Sequence, residues 1–343
     1  MGGAVASGRL GILGAGSFGT AIAVHAARAG HEVALWVRRE EAAAAMAVEH
    51  ENRPYLPGVR FPAGLTATHD LEALTGCETV VVAAPSHGYR AVLRDFLARR
   101  PAGAPLTVVS ATKGIEAESL ARMSQVSLAE CEAAGVAGRF AAFSGPTVAA
   151  ELARAAPSAA VVACEDEEVA SAMRETLASP TLRLYSSTDV VGVELAGTAK
   201  NVIAIGAGIV AGLGLGHNTL AALITRGLHE ITRLGLAFGG DPKTFSGLAG
   251  LGDLVLTCTG GLSRNRRTGV ELAQGKTLGE ILAETTEVAE GVRNSRVVLT
   301  LAREAGIEMP ITEQMVAVLY EEKPAKLAVR ELMTRDLKHE SNL

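Results

Sequence analysis

Aromatic residues are scarce in this chain of 343 residues, at 3% of the total with a single Trp. Recognition of single-stranded nucleic acid by base stacking is therefore excluded as a main activity. An excess of one charge is lacking too: 32 Lys and Arg against 37 Asp and Glu leave a net charge of −5. Such a balance attracts neither a nucleic-acid backbone nor an anionic bilayer, so any bound anion must meet a local cationic site. The four cysteines, Cys77, Cys131, Cys164 and Cys258, form no CxxC pair. Neither a disulfide framework nor a metal site is expected, and a reducing cytoplasm fits. Residues 1–8 show no basic segment followed by an apolar run, and Ala6 stands where a myristoylation signal needs Ser or Thr. The longest weakly apolar stretch, 202–216, is broken by glycines and bounded by Lys200 and His217, short of the roughly 18 residues that a spanning helix needs. It reads as a buried helix ending in a loop, without membrane insertion.

Glycine is abundant, 38 residues or about 11% against a usual ~7%, so close backbone approaches and tight turns carry much of the packing. The length suggests two domains at about 150 residues each. Apolar, β-branched runs at 10–13, 32–37, 79–84, 106–110 and 159–164 read as strands separated by helix-length segments. Strands apolar on both faces and alternating with helices imply an α/β fold with a mainly parallel, doubly wound sheet. From Val193 onward only helical periodicity remains, as in 218–234 and 292–305, so the boundary is placed near Asp189, with domains 1–189 and 190–343.

Gly14-Ala15-Gly16-Ser17-Phe18-Gly19 is a G-x-G-x-x-G motif that follows the first strand and opens a helix with Ala21, Val24 and Ala27 on its apolar face. The first glycine permits the turn, the second lets backbone N–H groups reach a pyrophosphate, and the third lets helix and strand approach closely. This context makes the first domain a Rossmann-type dinucleotide-binding domain. About 20 residues further on, where an NAD site carries Asp or Glu, stand Arg38 and Arg39. A guanidinium pair there suits the 2′-phosphate of NADP(H), without making NADP use exclusive.

Other chemistries lack their parts. No Tyr has a Lys four residues later, which excludes the short-chain dehydrogenase motif, and no H-E-x-x-H, P-loop or G-x-S-x-G string occurs. Instead, polar residues punctuate apolar or glycine-rich segments: Ala111-Thr112-Lys113-Gly114, Ser144-Gly145-Pro146-Thr147, Ala199-Lys200-Asn201-Val202, Gly250 through Cys258, and Ser263-Arg264-Asn265-Arg266-Arg267. Lys113 also reads as a solvated loop lysine, and Ser144 to Thr147 as a helix cap. Lys200 interrupts a helix that is apolar on nearly every side, and lysine is rarely buried without a partner or role. Asp253 poses the same problem, with Thr257 one turn later on the same face.

As a set, these strings resemble the bacterial NAD(P)-dependent glycerol-3-phosphate dehydrogenases, from the Gly14 loop through Pro310-Ile311-Thr312-Glu313. The resemblance implies a Rossmann-type domain followed by an all-α domain, with the active site between them. It implies cofactor contacts from Ser17, Phe18, Arg38, Lys113, Ala149, Arg264, Val288 and Glu290, beside Gly14, Gly16, Gly19 and Arg39 of the motif reading. Lys113, Gly145, Thr147, Lys200, Asp253, Thr257, Ser263, Arg264 and Asn265 would surround the substrate. Lys200 and Asp253 are the implied catalytic pair, with Lys200 the proton donor and acceptor. The cofactor would be NADP(H), NAD(H) or both, with no metal. The small-molecule partners would be dihydroxyacetone phosphate and sn-glycerol 3-phosphate, the latter feeding glycerophospholipid synthesis, and a homodimer is admitted. Three departures stand out: Phe18 where the family often has Tyr or Trp, the added charge of Arg39, and Leu220 at a commonly basic position. Two alternatives remain, a related β-hydroxyacid or 6-phosphogluconate-type dehydrogenase and a non-catalytic NADPH-binding regulator. The Gly252-Asp253 and Ser263-Arg264-Asn265 strings argue against the first, and the cost of burying idle charges against the second.

Overall fold

β-branched runs pack well on a pleated surface, and burial on both faces demands covering helices. The computed structural model describes residues 8–284, 289–337 and 339–340. The chain divides into two compact units, Met1–Glu116 with Ala121–Val190, and Ala117–Leu120 with Val191–Leu343.

The first unit holds an eight-stranded sheet of β1 (Arg9–Leu13), β2 (Glu32–Trp36), β3 (Leu65–Thr68), β4 (Thr79–Val82), β5 (Pro105–Ser110), β6 (Ala137–Ser144), β7 (Ser158–Ala163) and β8 (Leu182–Ser187). Their order is β3-β2-β1-β4-β5-β6-β7-β8. Neighbours from β3 across to β6 are parallel, β7 runs antiparallel to β6, and β8 runs parallel to β7. Consecutive Val80, Val81 and Val82 are all buried, so both faces of β4 are covered. The strand order reverses between β1 and β4, where Leu13 lies opposite Trp36 on one side and Val82 on the other. In such sheets the crevice beyond the carboxyl ends of the strands at the reversal is where ligands bind.

The expected mainly parallel α/β sheet is present, and five strands lie where the apolar runs place them, to within two residues. β3, β6 and β8 were not expected. β3 is a four-residue edge strand, β6 opens on Ala, Gly and Arg, and β8 buries Leu182 and Leu184 while exposing Arg183 and Tyr185. None of these is an uninterrupted apolar run.

After β8 the chain turns helical at Val190. The helix Val190–Gly212 is apolar on nearly every side, which is the pattern of a core helix, with Glu194, Lys200 and Asn201 as buried exceptions. At 23 residues with a mean hydropathy of 1.4 it is long and apolar enough to span a bilayer. This corrects the length argument made on 202–216 alone, because the helix begins twelve residues earlier. Of its most apolar window, 89% is buried within the protein. The helix Arg264–Ala273 crosses it at backbone contact. A Cβ on Gly208 would lie 2.0 Å from the Arg266 carbonyl, and one on Gly269 would lie 1.9 Å from the Ile205 carbonyl. Only glycine fits at that crossing.

Candidate functional site

The glycine loop closes β1 at the sheet's reversal point. Gly14 has φ +116°, a conformation that L side chains rarely adopt, and a Cβ there would meet the Ala83 carbonyl at 2.9 Å. A Cβ on Gly19 would sit 2.0 Å from the Gly14 carbonyl, so the helix Ser17–Arg28 lies directly against the turn. Gly16 differs: a Cβ there would touch nothing within 4 Å, leaving open space in front of the helix. That helix has no acidic residue in its first turn, so its positive end is uncompensated by a side-chain charge. Three glycines thus do three separate things, and the middle one leaves room for an anion.

Arg38 and Arg39 follow β2 after the buried Val37 and are exposed, and β2 is the strand paired with β1 on this side of the loop. On the other side Lys113 Nζ donates to the Gly145 carbonyl at 3.1 Å and lies 5.9 Å from the Phe18 ring centroid. Phe18 also packs on Phe143, with centroids 6.0 Å apart. Thr147 closes a tight turn, its N–H donating to the Gly145 carbonyl at 2.8 Å and its hydroxyl to the same oxygen at 3.2 Å. The next helix, Ala149–Ala153, has Val148 rather than Ser144 or Thr147 at its N-cap, so the capping alternative does not hold. Ala149 is its first residue, half-buried. Ser17, Phe18, Lys113, Gly145 and Thr147 are thereby gathered at the carboxyl end of the sheet.

In the second unit Lys200 is 5% exposed and Asp253 is 1% exposed. Lys200 Nζ donates to Asp253 Oδ1 and to Thr257 Oγ1, each at 2.6 Å. Thr257 in turn donates to the Asp253 backbone carbonyl at 2.6 Å. The sequence leads from a π turn, Leu248–Gly252, into the helix Asp253–Thr259, which puts Asp253 and Thr257 one turn apart on the side facing Lys200. Burial pushes the neighbouring Cys258 thiol up to about 12, with Asp253 adding to the rise and Lys200 opposing it. That thiol stays protonated and inert at neutral pH.

Ser263 caps the helix Arg264–Ala273, its hydroxyl accepting from the Arg266 N–H at 3.2 Å. Arg264 is the first residue of that helix and lines a groove with Arg267, Thr268 and Glu271. Asn265 is buried, donates to Asn201 Oδ1 at 2.9 Å and accepts from the Gly291 N–H at 2.9 Å. Asn201 was not singled out from the sequence, although an amide beside Lys200 in an apolar helix carries the same signal of a polar group needing a partner. Glu290 opens the helix Glu290–Glu304 and is half-buried. Val288 lies outside the described residues. Leu220 is half-buried on the helix Gly216–Ala237.

Residues 9–170 match a family model of the N-terminus of NAD-dependent glycerol-3-phosphate dehydrogenase, and residues 189–330 match that of its C-terminus. The chain is 50% identical over 333 residues to a glycerol-3-phosphate dehydrogenase (NAD(P)+) of Geobacter metallireducens, covering 97% of this chain and 98% of that one. It is similar to the crystal structure of glycerol-3-phosphate dehydrogenase from Coxiella burnetii, with a TM-score of 0.90 and 39% identity over 96% of this chain and 99% of that one. A ketopantoate reductase from Ralstonia eutropha shares the fold alone, at 16% identity and a TM-score of 0.59 over 95% of this chain and 99% of that one. With both halves of the family matched in order, and half of the residues shared with a bacterial relative over nearly the full length of each, the chain belongs to the NAD-dependent glycerol-3-phosphate dehydrogenase family.

Proposed function

We propose that this chain catalyses reversible hydride transfer between NAD(P)H and dihydroxyacetone phosphate, yielding sn-glycerol 3-phosphate. The observation that carries the reading is the buried Lys200, held 2.6 Å from both Asp253 and Thr257 in a member of this family. The dinucleotide, when bound, supplies the hydride that reduces the ketone carbon. The open space before Gly16 and the uncapped helix end fit its pyrophosphate. Gly14, Gly16, Ser17, Phe18, Gly19, Arg38, Arg39, Lys113 and Ala149 would hold it, with Arg264, Val288 and Glu290.

Reduction of a ketone leaves negative charge on oxygen. Lys200 stabilises that oxygen and donates the proton from Nζ, and in the reverse direction it takes the proton from the substrate hydroxyl. Asp253 offsets the cost of burying the ammonium. Thr257 accepts a second N–H and so fixes the direction of the amine. Ser263, Arg264 and Asn265, at a helix N-terminus, are assigned to the substrate phosphate, where remote binding energy becomes orientation at the carbonyl. Lys113, Gly145 and Thr147 complete the assigned substrate contacts.

The rest of the reading follows from this assignment. Residues 1–189 are the dinucleotide-binding domain and residues 190–343 the all-helical domain that carries the catalytic pair and most of the assigned substrate contacts. The product enters glycerophospholipid synthesis. Four free, buried cysteines and a buried Val190–Gly212 helix support a cytoplasmic, non-inserted enzyme, and a homodimer is part of the same proposal. The test is oxidation of NADPH by the purified chain with dihydroxyacetone phosphate, with ketopantoate as comparison and 6-phosphogluconate with NADP+ in the oxidative direction. Turnover confined to dihydroxyacetone phosphate is expected. Turnover on either of the others alone would sink the assignment, and turnover on none would leave a binding protein.

A further inference from the structure

We propose that Asn52 is a positioning residue for the dinucleotide-binding loop, acting by aiming the Gly16 N–H at the cofactor's pyrophosphate. The proposal rests on the dinucleotide reading above. Asn52 lies in the segment between the helix Glu40–Glu49 and β3, far in sequence from the glycine motif, yet its side chain is 0% exposed. Nδ2 donates to the Ala15 carbonyl at 2.9 Å and to Thr20 Oγ1 at 2.8 Å. The carbonyl is only an acceptor, so the group that faces it must be the NH2. One amide thus grips both the middle of the loop and the first turn of the helix that follows it.

The consequence comes from peptide geometry. In a trans peptide the carbonyl of residue 15 and the N–H of residue 16 point in opposite directions in one plane. Holding the Ala15 oxygen on Asn52 therefore turns the Gly16 N–H to the far side, and it also keeps a carbonyl from facing an incoming anion. Gly16 is the loop position whose Cβ would meet nothing within 4 Å. The anchor is itself held: the Asn52 carbonyl accepts from the Leu56 N–H at 2.7 Å, the His50 carbonyl accepts from the Phe61 N–H at 2.8 Å, and Glu51 pairs with Arg60 across the base of the segment. Asn52 Oδ1 is buried with no hydrogen-bond partner among the described residues. An unsatisfied buried acceptor weakens the fold, so stability alone would favour a different residue here. The two donor bonds to the loop are what asparagine supplies at this position.

The experiment measures binding to wild type and to Asn52→Asp, which keeps the shape and removes the donor, with Asn52→Ala as a second variant. Ligands are NADPH, NADH, ADP-ribose and 2′-AMP, followed by cofactor fluorescence or calorimetry. Kd for NADPH, NADH and ADP-ribose should rise by one common factor of about ten, the effect of losing a buried hydrogen bond. Affinity for 2′-AMP, which has no pyrophosphate, should hold, as should kcat at saturating cofactor. Thr20→Val, which retains the Ala15 bond, should lose much less. Binding of NADPH within twofold of wild type in a folded Asn52 variant would overturn the proposal, and so would an equal loss on 2′-AMP, since that marks general damage to the unit. A wild type that binds neither cofactor would instead remove the dinucleotide reading itself.

Discussion

Lys200 Nζ and Asp253 Oδ1 lie 2.6 Å apart, and their side chains are only 7% and 2% exposed. A pair this dry contributes less to stability than its short distance suggests, because desolvation offsets much of the attraction. Function explains it better than stability, and that gives a prediction with two readouts. Lys200→Met should lower turnover by roughly 10² to 10⁴, and should destabilise by about 3–5 kcal/mol because a buried carboxylate is left without its partner. Adding Asp253→Leu should recover most of the stability and none of the turnover. Denaturant unfolding and steady-state rates on the two variants check this, and recovery of turnover in the double variant would remove Lys200 from the catalytic role.

Arg38 and Arg39 are exposed beside the strand that flanks the glycine loop. Replacing them with Asp and Ser should turn a preference for NADPH, or parity, into a preference for NADH, because a carboxylate accepts from the ribose 2′-hydroxyl and repels a 2′-phosphate. Separate cofactor titrations test it. An unchanged ratio would show that these arginines do not read the 2′ position.

Arg264 begins a helix that Ser263 caps. A charge-assisted hydrogen bond to phosphate is worth roughly 1.5–3 kcal/mol, so Arg264→Ala should cost about ten- to a few-hundred-fold in kcat/KM with dihydroxyacetone phosphate. With dihydroxyacetone, already a very poor substrate, the loss should be much smaller. Equal proportional losses at saturating cofactor would place Arg264 away from the phosphate.

Glu230 is 3% exposed and accepts from the Ile311 N–H at 2.6 Å, the Thr312 N–H at 3.2 Å and the Thr312 hydroxyl at 3.1 Å, closing the start of the helix Pro310–Tyr320. Burial pushes its carboxyl up to about 7, against the pull of those donors. The folded chain therefore binds this proton more tightly than the unfolded one. Its stabilising effect is complete below about pH 4.5 and is lost as pH rises through about 7, by on the order of 3 kcal/mol in all. His25 acts in the opposite sense, since burial lowers its pKa and stability falls as pH drops below about 6.5. The pH dependence of unfolding in Glu230→Gln, subtracted from that of wild type, should isolate the Glu230 slope. Parallel curves between pH 5 and 7 would show that Glu230 ionises in the fold as it does in the unfolded chain.

What the amino-acid order determined by itself is local. β1, β2, β4, β5 and β7 were legible because each is an apolar run that only burial on both faces explains. The G-x-G-x-x-G loop was legible because its three glycines stand at fixed spacing within six residues directly after an apolar run, and the structure gives each a different role: the positive φ of Gly14, the open space at Gly16 and the 2.0 Å approach at Gly19. Lys200 and Asp253 could be flagged one at a time, as charges stranded in apolar helices. Their pairing could not be derived from spacing, since 53 residues separate them and only the packing of Val190–Gly212 against Asp253–Thr259 brings them together. Tertiary structure likewise decided the reversal of direction at β7 and the strand character of β3, β6 and β8, where edge positions and mixed faces blur the hydrophobic pattern. Asn52 shows the limit most plainly. Between Glu51 and Arg53 it reads as one more solvated loop residue, and only the return of that loop to the end of β1 makes it the partner of Ala15. Hydrogen bonds between distant segments have no periodicity to betray them, so their partners are set by the fold.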